Sequence, residues 1–304
     1  MNIILFCNSS WGFPLINLLI EQQYLKGLVV PDLNHDVNQA FQAIAAKYQV
    51  PFFNASRTDL SNKLPEWIKE RDRDLGVCLT FPLIFPPACL QSFGQGIINI
   101  HFGKLPDYGG PDLFWILRNR EKHMTITYQK MAEQLDCGPV IMETPVPVIP
   151  GENYGLLGSR LSRIIAQSFQ KLLEQLKQPI NGKELNSKLL KRPELSDLKI
   201  DWNTHAADEI ESIVNAANPV YYGAQAYFNN VPIRILEVSP ASVNLKNSKN
   251  LKPGTVVHAS LQDGLFVICS DYCFLKINII KTQDCIISGG KLAALGIKAG
   301  DVLS

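Results

Sequence analysis

Three residues able to hold charge and move protons stand beside turns in this chain. Asn99 and His101 close an apolar run, Ile97 to Ile100, of strand length. Gly103, Pro106, Gly109, Gly110 and Pro111 follow at once, so the strand gives out into a loop. Residues two apart on a strand point to one face, and strand ends are where open α/β sheets bind ligands. Asp136 occupies a similar position in Leu135-Asp136-Cys137-Gly138-Pro139, ahead of the apolar run from Val140. An amide, an imidazole and a carboxylate suit acyl transfer. The amide can hold a developing oxyanion. The imidazole can carry a proton from nucleophile to leaving group near neutral pH. The carboxylate can fix the imidazole's tautomer and support its charged form. An Asn-x-His pair at a strand end also occurs as a satisfied structural pair, so the pattern alone is a hypothesis. No Ser or Cys stands in a nucleophile elbow, and a covalent acyl-enzyme is not indicated.

The elements that must position these residues alternate. Strand-length apolar runs fall at Ile3–Cys7, Leu25–Val30, Val50–Phe53, Leu75–Thr80 and Ile97–Ile100. Helical periodicity separates them: a helix from the Asn8-Ser9-Ser10 cap with Pro14 in its first turn, one over Val37–Tyr48 and one over Leu60–Arg71. That order predicts an α/β fold with a Rossmann-like, mostly parallel sheet covered on both faces. A short helix at Leu113–Asn119 and strands at Met124–Gln129 and Val140–Val148 follow, the strands as an antiparallel extension. Asn153 to Lys177 is one long helix. The polar stretch from Pro179 reads as a linker. Beyond it, a helical stretch from Asp201-Trp202 precedes short strands at Ala224–Phe228, Val231–Val238, Gly254–His258, Leu265–Cys269 and Phe274–Ile280. Asn229-Asn230, Asp263-Gly264 and Ser288-Gly289-Gly290 punctuate them as turns. This predicts a small β-barrel, OB-like, of about 100 residues. The expected division is a catalytic domain over 1–180, a linker over 181–198 and a barrel-like domain over 199–304.

Composition narrows the function. A 46% hydrophobic and 19% charged chain has enough apolar surface for a packed core. A formal net charge of +1 is no polyanion grip. Seven scattered cysteines, odd in number, read as reduced core residues of a cytoplasmic protein. Cys269 and Cys273 lack a second pair for a metal site, so no metal is expected. The N-terminus has no basic region or cleavage site, and no apolar run reaches membrane-spanning length. Neither the dinucleotide fingerprint nor a Walker loop is present. His35, His123, His205 and His258 read as solvent or packing residues.

Several short motifs, in order, resemble those of the methionyl-tRNA formyltransferase family, within the 10-formyltetrahydrofolate-dependent formyltransferases that include sugar N-formyltransferases. Asn99-Ile100-His101 and Leu105-Pro106-Asp107-Tyr108-Gly109-Gly110 are similar to its Asn-x-His and Leu-Pro-x-Tyr-Arg-Gly loop. Leu135-Asp136-Cys137-Gly138 is similar to its Leu-Asp-x-Gly loop, and Leu83-Ile84-Phe85-Pro86 to the segment lining its folate pocket. Ile200-Asp201-Trp202 and Ala217-Asn218-Pro219 resemble the start of its C-terminal domain. The resemblance implies that an amine attacks the formyl carbon of 10-formyltetrahydrofolate, the formyl donor. It implies Asn99, His101 and Asp136 as catalytic residues, and Phe81, Leu83, Ile84, Leu135 and Gly138 as folate-binding. It departs at Gly109, where the family carries Arg, and at Ala132, where it carries Asp. Residues 191–304 hold 11 Lys and Arg against 11 Asp and Glu, a balance that argues against a tRNA grip. The acceptor is therefore expected to be a small amine such as an amino-sugar nucleotide, or methionyl-tRNA. A hydrolase releasing formate and a non-enzymatic folate-binding module are the alternatives. No membrane partner is expected.

Overall fold

The computed structural model describes every residue except 111, 181, 246 and 247. The expected loop residue Pro111 and the first residue of the expected linker, Asn181, lie outside the described residues. The chain packs as two compact units: Met1–Asp112, His123–Pro147 and Gly158–Leu190 form the first, and Leu113–Lys122, Val148–Leu157 and Lys191–Ser304 the second.

The first unit is built on seven strands: β1 (Ile3–Cys7), β2 (Leu25–Pro31), β3 (Phe52–Ala55), β4 (Leu75–Leu79), β5 (Ile97–His101), β6 (His123–Lys130) and β7 (Val140–Pro147). Their order is β3-β2-β1-β4-β5-β6-β7. The first five are parallel, and β6 runs antiparallel to both β5 and β7. Every residue of β1 and of β4 is buried, as expected of strands covered on both faces. Helices α1 (Phe13–Glu21), α2 (His35–Lys47), α3 (Lys63–Lys69) and α4 (Pro87–Leu90) are the covering connections. The expected cap before α1 forms a 3-10 turn, Ser10–Gly12, where Ser9 Oγ accepts from the Trp11 amide. Helix α5 (Asp112–Arg118) precedes β6. On α6 (Tyr154–Gln175), Leu157, Leu161, Ile165, Phe169 and Leu172 are buried at helical spacing. Phe6 meets Phe81, Phe85 and Phe93 edge to face, with ring centroids 4.8–6.1 Å apart.

The second unit carries α7 (Ala207–Ala217), strands β8 (Ala224–Phe228), β9 (Val231–Ala241), β10 (Val256–Ser260), β11 (Gly264–Ile268), β12 (Phe274–Lys281) and β13 (Ile286–Ser288), and α8 (Gly289–Ala294). The sheet is antiparallel in the order β10-β11-β12-β9-β8, with β13 on β12. Single bridges from Val302 to Thr255 and from Leu303 to Phe228 tie both ends of the sheet to the C-terminal segment, which draws it toward a barrel. Asp201-Trp202 is a turn rather than helical: Trp202 is 1% exposed and packs in the core of this unit, and the helix begins only at Ala207. Gly289-Gly290 begins α8, capped by Ser288 Oγ at the Lys291 amide, and a Cβ on Gly289 would meet the Ile277 carbonyl oxygen at 2.1 Å. Trp115 donates from its indole to the Lys191 carbonyl at 2.8 Å within this same unit.

Candidate active site

Strand β5 delivers Asn99 and His101 at its carboxyl end, and the loop between β6 and β7 delivers Asp136. That loop is closed at its neck, where the Lys130 amide donates to the Pro139 carbonyl at 3.0 Å and Met131 N donates to the Ile97 carbonyl at 2.7 Å. Asp136 has φ +54°, a left-handed conformation that a short polar side chain tolerates. Two residues on, a Cβ at Gly138 would lie 1.7 Å from the Lys130 carbonyl oxygen. Only glycine fits there.

The two sides of the site meet at the Asp136 carboxylate, which keeps 7% of its exposure. Its Oδ2 accepts from the Gly110 amide at 2.9 Å. Its Oδ1 accepts from Gln129 Nε2 at 3.1 Å and from Asn99 Nδ2 at 3.4 Å, and faces His101 Nδ1 at 3.8 Å. The last separation is a charge contact rather than a hydrogen bond. His101, also 7% exposed, turns Nε2 to the Tyr108 carbonyl oxygen. A carbonyl only accepts, so the proton belongs on Nε2, and Nδ1 is the nitrogen that faces the carboxylate. Thr127, the strand partner of His101, donates to the Gly103 carbonyl at 2.6 Å and ties down the loop after β5. The chain can here hold a negative charge with Asn99 and shuttle a proton at His101.

Of the other expected site residues, Phe81 and Leu83 are buried, each 9% exposed, in the phenylalanine cluster beside β1 and β4. Ile84 is 74% exposed and Leu135 44%. Gly138 is buried in the loop. A cavity of about 560 Å³ is lined by Pro87, Leu90, Lys130, Met131, Ala132 and Cys137 among others, and Asn99, His101 and Asp136 are not in its wall. That size suits a small ligand. None of the five expected folate residues lines it.

Sequence reasoning passed over three contributors. Gln129 is the strand partner of Asn99, 2% exposed, and it grips Asp136. Ser187 Oγ donates to the Asp136 main-chain carbonyl. The segment around Ser187 straps the site, with Leu185 N to Cys137 O at 2.7 Å, Lys188 N to Pro106 O at 3.0 Å and Leu190 N to Gly109 O at 2.9 Å. Nothing in the local sequence pattern singled out any of them.

Burial pushes the Cys78 thiol up to about 12 and that of Cys7 up to about 11, so neither is a thiolate at neutral pH. Among the described residues, no cluster of three or more His, Cys, Asp or Glu side chains could hold a metal ion. No helix among them is long and apolar enough to cross a membrane.

Fold and site together define a two-domain group-transfer protein with an amide, imidazole and carboxylate at the strand ends of an α/β sheet. Residues 16–173 match the family model described as formyl transferase, and residues 194–294 that of the formyl transferase C-terminal domain. The chain belongs to the formyl transferase family, and it is a formyl-transferring enzyme. It is 26% identical over 291 residues to the methionyl-tRNA formyltransferase of Halalkalibacterium halodurans, covering 91% of this chain and 89% of that relative. Its fold is similar to HypX from Aquifex aeolicus in complex with tetrahydrofolic acid, with TM-score 0.68 and 13% identity over 98% of this chain. This chain spans about half the length of HypX, 48%. It is also similar to WlaRD, a sugar 3N-formyl transferase, with TM-score 0.63, 15% identity and coverage of 94% of this chain and 98% of that one.

Proposed function

We propose that the protein transfers the formyl group of 10-formyltetrahydrofolate to the primary amine of a small acceptor, such as an amino-sugar nucleotide. The observation that carries this reading is the convergence of Asn99 and His101 on the buried Asp136 carboxylate. Two similar structures were solved with tetrahydrofolic acid or 5-N-formyl-THF, which supports a folate donor here.

The bound donor supplies an electrophilic formyl carbon joined to a nitrogen leaving group. Asn99 Nδ2 donates to the negative charge that develops on the formyl oxygen. As the amine nitrogen bonds to that carbon, His101 Nδ1 takes the proton the amine loses. His101 returns it to the departing nitrogen when the old carbon–nitrogen bond breaks. Asp136 orients the imidazole and supports it while it carries the charge.

A second reading is favoured by the 26% identity to a methionyl-tRNA formyltransferase over 91% of the chain: the acceptor is then methionyl-tRNA. Against it stands the zero charge balance of residues 191–304, since phosphate neutralisation supplies much nucleic-acid affinity. The deciding experiment follows tetrahydrofolate release from 10-formyltetrahydrofolate with no acceptor, with methionyl-tRNA and with a panel of amino-sugar nucleotides. Turnover with an amino sugar supports the proposal. Turnover with the tRNA alone replaces it with the second reading, and release without acceptor makes the protein a hydrolase.

A further inference from the structure

We infer that Gln129 is a positioning residue for the formyl transfer, which it serves by holding Asp136 in the rotamer that faces His101. The inference rests on the proposed function. It starts from an imbalance in how Gln129 is bonded. The residue is 2% exposed, one position from the end of β6, in a strand whose buried positions include Met124, Ile126 and Tyr128. Its Nε2 donates to Asp136 Oδ1 at 3.1 Å. Its Oε1 is buried with no hydrogen-bond partner among the described atoms.

A buried acceptor without a partner is unfavourable. The amide cannot relieve this by turning over, because its oxygen would then face the carboxylate, which only accepts. The stranded oxygen is therefore a consequence of presenting an NH2 group to Asp136. Packing does not explain the residue, and the contact with Asp136 does.

The placement fits that task. Asn99 and Gln129 are register partners on β5 and β6, so two neighbouring strands send amide donors to one oxygen, at 3.4 and 3.1 Å. The other oxygen is anchored by the Gly110 amide at 2.9 Å. Three donors on two oxygens leave the carboxylate one orientation, with Oδ1 toward His101 Nδ1. Without Gln129, Oδ1 keeps only the longer Asn99 contact. Among the described residues, the titratable groups around the amide include Asp136 itself, His101 across it, and Cys78, the β4 partner of Asn99, whose thiol burial keeps protonated; the strand partners Asn99 and Val140 carry no charge.

The test uses Gln129→Met and Gln129→Glu in the whole protein, read by kcat and KM for formyl transfer to whichever acceptor the wild type uses, and by thermal melting. Gln129→Met should lower kcat by roughly 10–100-fold, the range for losing a residue that orients a functional ligand. Its KM for the donor should change by less than about threefold, and its Tm should stay close to the wild type's, since losing a donor to the carboxylate is offset by losing the stranded oxygen. Gln129→Glu should be as impaired at pH 8, then regain activity relative to wild type as pH falls and its carboxyl gains a proton to donate. An unchanged kcat in Gln129→Met overturns the proposal, as does a kcat loss matched by a lowered Tm with no pH-dependent recovery in Gln129→Glu. A wild type that passes formyl to no amine overturns the proposed function first, and this inference with it.

Discussion

Gly138→Ala is the sharpest probe of how the loop carries Asp136. An added Cβ would lie 1.7 Å from the Lys130 carbonyl oxygen, 2.9 Å from its carbon and 3.3 Å from the Ala132 nitrogen. All three atoms are main chain, so no rotamer change relieves the clash. The loop must retreat by roughly 1.5 Å to restore an ordinary contact distance. Overpacking of this kind costs up to about 3 kcal/mol. For a unit of this size each kcal/mol moves Tm by about 2–4 °C, so a fall of roughly 6–12 °C is expected. The retreat also carries Asp136, two residues away, off the Gly110 amide and Gln129. A misplacement of about 1 Å at a reacting group costs roughly 100-fold in rate, and kcat should fall by that order. Gly94→Ala is the control, because nothing lies within 4 Å of the Cβ it would add. Differential scanning fluorimetry and steady-state formyl transfer on both variants read the outcome. A Gly138→Ala protein that melts within 1–2 °C of wild type with unchanged kcat would refute this account of the loop.

Asp136→Asn should fold but lose about 10²–10⁴-fold in kcat, because one of its two terminal atoms becomes a donor facing Gly110, Gln129 or Asn99; an active variant would remove Asp136 from the mechanism. Thiol titration at pH 8 should modify two of the seven cysteines in the native protein, the exposed Cys273 and Cys285, and all seven after denaturation. His205 accepts from the Asp201 amide through Nδ1 at 3.1 Å, and burial, then the Arg118 guanidinium, pushes its pKa down. The unfolded chain therefore binds the extra proton first. Stability is full above the ordinary histidine value near 6.5 and declines as pH falls through it. Urea unfolding at pH 7.5 and 5.5 should show this loss, and His205→Gln should reduce it.

Much was legible in the residues because it rested on local rules. Continuous apolar runs at Ile3–Cys7 and Leu75–Leu79 read as buried parallel strands because both faces of such strands are covered. The period of 3.6 showed α6, and the glycine and proline cluster after β5 marked the loop. Asp201-Trp202 misled for a local reason too. Its turn is held by burial of the Trp202 indole in the second unit, which no window of sequence records. The stretch 182–190 has the polar composition of a linker, yet in the fold its main chain straps the site loops. Main-chain hydrogen bonds of this kind leave no side-chain signature.

By itself, then, the sequence determined the alternating strands and helices and the antiparallel strands after them, and offered Asn99, His101 and Asp136 as candidates, since residue type and periodicity act within a few positions of the chain. Only the tertiary structure decided that Asn99 and His101 meet at the Asp136 carboxylate and that Gln129 grips it. Those facts depend on register between β5 and β6 and on a loop returning across 37 residues to Asn99, and such long-range closure is set by the packing of the whole sheet.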